Sequence, residues 1–258
     1  MPDTILKSKV NRLFIILSGF FIANALIAEM IGGKIFSLEE TLGIQPINWS
    51  IFGQSGTLQF SAGILNWPFV FIFTDIINEY YGRKGVKFLS YMTAGLIIYS
   101  FAIMYGSIHL APAGFWLVTN VNNGVPNMQN AYSAIFGQGM WIIMGSITAF
   151  LVGQILDVSV FHSIKKVTGE NKIWLRSTGS TVISQLIDTL LVGYIAFVLG
   201  PQKWSMHLFF AVSIVGYTYK VLMAIIFTPL LYFVHMAIEN YLGKDLAKLL
   251  KDKAIMSN

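Results

Sequence analysis

Runs of twenty or more mainly apolar residues recur along this chain, and burying that many in a water-soluble core is not feasible. A helix needs about 20 such residues to cross the ~30 Å hydrocarbon of a bilayer. Six stretches reach that length: Leu13–Phe36, Phe60–Tyr81, Val86–Ile108, Ala131–Phe161, Trp174–Leu199 and Leu208–Val234. In lipid each backbone polar group has to find its partner within its own segment, so such runs are read as helices. The expected fold class is an all-α integral membrane protein with six transmembrane helices, forming one transmembrane domain over residues 1–258. Charge content agrees: 11% of residues are charged, against about 25% in soluble proteins. A cleaved signal peptide has an apolar core of about 7–15 residues. The first run is longer, so it is read as a retained helix.

The basic residues give an orientation. Lys7, Lys9 and Arg12 precede the first span, and Arg83, Lys84 and Lys87 follow the second. Lys165, Lys166, Lys172 and Arg176 stand between the fourth and fifth, and Lys244, Lys248, Lys251 and Lys253 follow the sixth. The opposite side receives only Lys34 and Lys203, while Lys220 falls inside the sixth span. Excess Lys and Arg marks the cytoplasmic side, so both termini are expected in the cytoplasm. The net charge of +5 then reflects membrane orientation rather than a basic face for nucleic acid, and the lipid bilayer is the expected large partner. Two outer loops, Ser37–Gln59 and His109–Asn130, are polar and nearly uncharged. Each is open to reading as a surface turn, an interfacial helix or a lid.

Ionisable residues inside the spans are the informative exceptions. Asp75, Asn78 and Glu79 are spaced i, i+3, i+4 and so share one helix face. Gln154 and Asp157 form a Q-x-x-D pair in the fourth span, and Gln185 and Asp188 form another in the fifth. At 1.5 Å per residue, Asp75 and Asp157 lie roughly 12 Å, and Asp188 roughly 18 Å, from their nearest basic anchors. Lys220 stands at a depth similar to Asp188, Asn24 near the middle of the first span and Glu29 nearer its outer end. A charge at the bilayer centre costs at least about 2.5–3.5 kcal/mol. Several on different helices are therefore expected to line a polar cavity between spans one, two, four, five and six. A buried Asp188–Lys220 bridge that only fixes helix register is the competing reading for that pair. Glu79 reads equally as an end charge, an ion-pair partner or part of a gate. Trp67, between Asn66 and Pro68, is either an interface anchor or a stacking platform, and Pro68 is expected to kink the helix.

Enzymatic signatures are scarce. The chain has no cysteine, no phosphate-binding G-x-x-x-x-G-K-[ST] loop and no H-E-x-x-H, and its four histidines are dispersed. No enzyme activity, metal site or cofactor is expected. Small-residue patterns are too common to specify a dimer, so a homodimer is left open. Carboxylates with amides and aromatic rings suit a planar polar ligand bearing several N–H donors, such as a guanine-like base. The residues thus point to a transporter of a small organic solute.

The stretches PFVFIFTDIINEYYGRK, FLVGQILDVSVFHSIKK, WLRSTGSTVISQLIDTLLVGYIAF and YKVLMAIIFTPLLY resemble the queuosine precursor transporter family, formerly grouped as vitamin uptake transporters. The resemblance runs over nearly the whole chain. It implies a multi-pass importer in the bacterial inner membrane, carrying 7-deazaguanine bases such as 7-cyano-7-deazaguanine and 7-aminomethyl-7-deazaguanine for queuosine modification of tRNA. It places substrate contacts on Asp75, Gln154, Asp157, Asp188 and Lys220, with Gln185 at an amide position. On that footing Asp188 with Gln154 or Gln185 is expected to read the amino-pyrimidinone edge, Trp67 to stack and Asn24 to add a hydrogen bond. Lys220 holds Asp188 or touches the ligand. Asp75, Asp157 and Glu79 form a gate or proton path. Two other readings stay open: a substrate-binding subunit of an energy-coupling-factor importer, and a membrane scaffold with no ligand.

Overall fold

A computed structural model describes residues 8–137, 139–168 and 172–256. Lys7, part of the first basic group, and Gln138, within the expected fourth span, lie outside the described residues. Helix α1 (Lys9–Ile31) begins at Ser8, whose hydroxyl accepts from the Asn11 amide, and stops at Gly32. It therefore ends before the Phe36 expected from hydropathy. Residues Ile35–Ser37 instead form strand β1, which pairs antiparallel with β4 (Gln59–Ser61). Between them lie the short helix α2 (Leu38–Leu42) and a hairpin of β2 (Trp49–Ile51) and β3 (Gln54–Gly56). The first of the loops expected on the outer side is thus a small folded cap. Its organiser is Glu39, which is 1% exposed and accepts from the Leu58 amide at 2.7 Å and the Ile47 amide at 3.3 Å.

Helix α3 (Trp67–Ile108) is 42 residues long, roughly 63 Å at 1.5 Å per residue. It covers the expected second and third spans. Pro68 sits in its first turn, where an amide donor is not needed, so it starts the helix rather than kinking it. The break is at Gly82, with φ 69° and ψ −173° inside the run. Side chains essentially exclude that conformation. Beyond α3 come α4 (Met128–Phe136), α5 (Met140–Thr168) and α6 (Ile173–Gly193), the last continuing as a π-helical turn through Leu199. The expected sixth span is also divided, into α7 (Met206–Ile226) and α8 (Thr228–Leu242), with Pro229 in the first turn of α8. A final helix, α9 (Lys244–Met256), follows Gly243.

Among the described residues, five helical stretches are long and apolar enough to cross a membrane, one of them the 42-residue α3. This defines an all-α membrane protein, with the two short ladders confined to that cap. Its packing is inverted relative to a soluble domain. Ile15, Phe20, Ile98 and Ile103 are more than half exposed, whereas Thr74, Asn78, Asp157, Ser180 and Ser184 are fully buried. Lipid tails are as apolar as leucine, so helices associate through close packing and polar contacts rather than by hiding apolar surface. The most extensive helix pairing is α5 with α6; α1, α5 and α9 pack on α3, and α7 on α6. Gly153 of α5 lets Asp188 of α6 approach, since a Cβ there would lie 3.5 Å from the Asp188 Cβ.

Candidate functional site

The main cavity encloses about 510 Å³, counted out to its mouth, between the first part of α3, helix α6 and the α7–α8 junction. Helical spacing builds two of its walls. Trp67, Phe71 and Asp75 stand at i, i+4 and i+8 on α3, and Ser177, Thr181 and Gln185 do the same on α6. Tyr219, Lys220, Phe227 and Leu231 complete the wall from α7 and α8. The cavity is aromatic toward Trp67 and polar toward Asp75.

Asp75 is 3% exposed. The Ser177 hydroxyl donates to its Oδ2, and its Oδ1 has no hydrogen-bond partner. Gln185 is 2% exposed, and its Nε2 donor is likewise unpartnered. Leaving such a group buried and unsatisfied costs about 1–3 kcal/mol. Both residues line the cavity, from α3 and α6, and each keeps one buried polar atom without a partner. Trp67 has its ring centroid 6.1 Å from that of Phe71 and 5.9 Å from that of Phe150.

The other expected site residues are arranged differently. Lys220 lines the cavity, but its Nζ donates to Asp188 Oδ2 at 2.7 Å and to Thr189 Oγ1 at 3.0 Å. Asp188 lies outside the lining, in this partly exposed pair. Asp157 sits behind the wall on α5 and accepts from Ser184 at 3.1 Å. Gln154 accepts from the Thr74 hydroxyl at 3.2 Å and borders a separate groove of about 200 Å³ with Lys87 and Tyr91. Asn24 donates to the Phe20 carbonyl at 2.8 Å and accepts from Asn66 through its own carbonyl at 3.4 Å. Of the substrate-binding set expected from sequence, the cavity brings together Trp67, Asp75, Gln185 and Lys220.

One turn beyond Asp75, Glu79 is clamped between two cations, Lys165 of α5 at 3.0 Å and Arg176 of α6 at 2.8 Å. All three side chains are about 1% exposed. Lys165 and Arg176 are therefore not loop anchors, as their position between apolar runs had suggested. Both lie within helices, and a buried carboxylate on a third helix draws them inward. Beside them the His162 Nε2 lies 2.8 Å from Asn78 Oδ1, and the Arg176 guanidinium stands 5.7 Å from the Phe161 ring centre. At the other end of the bundle, Ser146 donates to the buried Glu29. Ser177 and Tyr219 were not singled out from sequence. Ser177 was within reach, because it extends the Thr181–Ser184–Gln185–Asp188 polar stripe by one turn.

A helical membrane bundle with a mainly apolar cavity, a few polar side chains in its lining and buried charges is consistent with a membrane transporter. The profile of the family described as "Putative vitamin uptake transporter" matches residues 61–234, and the chain belongs to that family. It is 29% identical over 178 residues to a Bacillus subtilis protein named "Probable queuosine precursor transporter", covering 66% of this chain and 72% of that one. It is 28% identical over 170 residues to the "Queuosine precursor transporter" of Escherichia coli K12, covering 64% and 67%. No solved structure matches the chain.

Proposed function

We propose that this chain is an importer of queuosine precursors, taking up 7-deazaguanine bases such as 7-cyano-7-deazaguanine and 7-aminomethyl-7-deazaguanine across the bacterial inner membrane. The observation that carries this reading is the single cavity in which Trp67 and Phe71 stand beside a buried carboxylate, Asp75, and a buried amide, Gln185. A planar base needs both a ring to stack on and hydrogen-bonding groups along its edge. The names of the relatives from B. subtilis and E. coli agree with it.

The proposal includes six crossings with both termini in the cytoplasm. Helix α3 is about twice the length that one crossing needs, and its break at Gly82 adjoins Arg83, Lys84 and Lys87. Two crossings with a cytoplasmic corner account for both features.

The test is uptake rescue. This gene alone is placed in a bacterium that neither makes 7-deazaguanines nor imports them, and 7-cyano-7-deazaguanine is supplied at low concentration. Queuosine in tRNA is the expected result. Its absence, with the protein present in the membrane, overturns the reading of a self-sufficient importer. Rescue only after adding ATPase and coupling subunits would assign the chain to the energy-coupling-factor class instead.

A further inference from the structure

We infer that Asp75 and Gln185 are the edge-reading pair of the cavity, the carboxylate accepting from adjacent N–H groups and the amide donating to a neighbouring carbonyl of a planar heterocycle. This rests on the proposed transport of 7-deazaguanine bases. It moves the reading of the base away from Asp188, whose carboxylate is held by Lys220 at 2.7 Å and does not line the cavity.

The argument begins with unspent hydrogen-bonding capacity. A carboxylate accepts at both oxygens, and a glutamine amide offers two N–H donors. Ser177 uses only one Asp75 oxygen, leaving Oδ1 without a partner, and Gln185 Nε2 also has none. Both atoms are shielded from water, so bulk solvent does not satisfy them in this conformation. The two residues reach the same cavity from different helices. An acceptor from one wall and a donor from the next call for a ligand edge with the opposite pattern. The amino-pyrimidinone edge of a guanine-type base presents an amino group, a ring N–H and a carbonyl in sequence. Asp75 matches the first two and Gln185 the third. Small side-chain rotations toward the cavity bring the shielded atoms into reach, and the ligand's donors compete with the Ser177 hydroxyl for Asp75. A base whose edge offers one donor and no carbonyl pairs with Asp75 at a single point and leaves Gln185 unpaired. Sites that depend on such hydrogen bonds reject ligands lacking them far more strongly than apolar pockets reject a missing methylene.

The test pairs edits of the ligand with edits of the protein. Binding to the purified full chain is measured for 7-cyano-7-deazaguanine, for its analogue without the 2-amino group and for its analogue without the 6-oxygen. Wild type is expected to lose about tenfold or more in affinity for each analogue. Asp75→Asn should bind the parent base more weakly and lose most of the discrimination at the 2-amino position, while still discriminating at the 6-oxygen. Gln185→Leu should keep the discrimination at the 2-amino position and lose part of that at the 6-oxygen, because removing that oxygen also removes the ring N–H assigned to Asp75. Discrimination that persists unchanged in both variants, or that vanishes only in Asp188→Asn, overturns the assignment and leaves the importer reading standing. Equal wild-type affinity for all three compounds also overturns it. Failure of wild type to bind 7-cyano-7-deazaguanine removes the importer reading, and this inference falls with it. If Asp75→Asn does not fold, the Gln185→Leu comparison decides alone.

Discussion

Gly82 and Glu39 each hold a piece of backbone that no neighbour could fix. At φ 69° and ψ −173°, Gly82 occupies a conformation costing other residues on the order of 1–3 kcal/mol. Gly82→Ala is expected to lower the unfolding temperature of the detergent-solubilised protein. Gly19→Ala, placed inside α1 with open space around it, should leave that temperature unchanged or raise it slightly. Glu39 gathers the folded cap. Burial raises its pKa, but donors from Leu58, Ile47 and Ser37 outweigh that and hold it below the ordinary 4.5. A carboxylate depressed in the folded state stabilises it above the unfolded pKa and loses that contribution as pH falls through the folded value. Amide exchange in residues 37–61 is therefore expected to be slow at neutral pH and to show lost protection, after correction for intrinsic rates, as the pH falls below the ordinary carboxylate range. Glu39→Gln should abolish that pH dependence.

The two ion-pair sites tie helices together with unequal force. Glu79 pairs with two cations that are sealed from water, and removing one partner of a buried pair costs about 3–5 kcal/mol. Glu79→Ala leaves Lys165 and Arg176 facing one another and should sharply reduce the yield of monodisperse protein on size-exclusion chromatography. Asp188→Asn is milder, because Lys220 keeps the Thr189 hydroxyl at 3.0 Å and both members of that pair are partly exposed. The Asp188 variant should insert normally, with a smaller fall in unfolding temperature than Glu79→Ala. Equal losses would mean that the Glu79 cluster is more solvated than its 1% exposure implies. Chain positions alone did not distinguish these sites. Lys165 and Arg176 stand where cytoplasmic anchors belong, and Glu79 where an interfacial charge is tolerated. Their convergence depends on how α3, α5 and α6 are rotated. Pro68 misled for a related reason: its effect depends on whether it begins a helix or interrupts one, and hydropathy located that start seven residues too early, at Phe60 rather than Trp67.

For the whole molecule, the absence of cysteine makes topology directly measurable. A single cysteine at Asn123, in the second outer loop, is expected to react with a membrane-impermeant maleimide added to intact cells after the outer membrane is permeabilised. One at Lys248, on α9, should react only once the inner membrane is opened. The reverse pattern would invert the proposed orientation, and labelling of both from one side would require an even number of crossings between them. The apolar runs already disclosed a helical membrane protein, because a lipid solvent leaves few alternatives for twenty apolar residues in succession. They also put Asp75, Gln185, Asp188 and Lys220 within long apolar helices, because 3.6-residue periodicity and span boundaries are local properties. Which of these faces an open cavity is not local. It depends on what each face meets: Ser177 and open space for Asp75, but the Lys220 ammonium for Asp188. Periodicity tells which residues share a face. Only the packing of the other helices decides whether that face finds a partner or is left to receive a ligand.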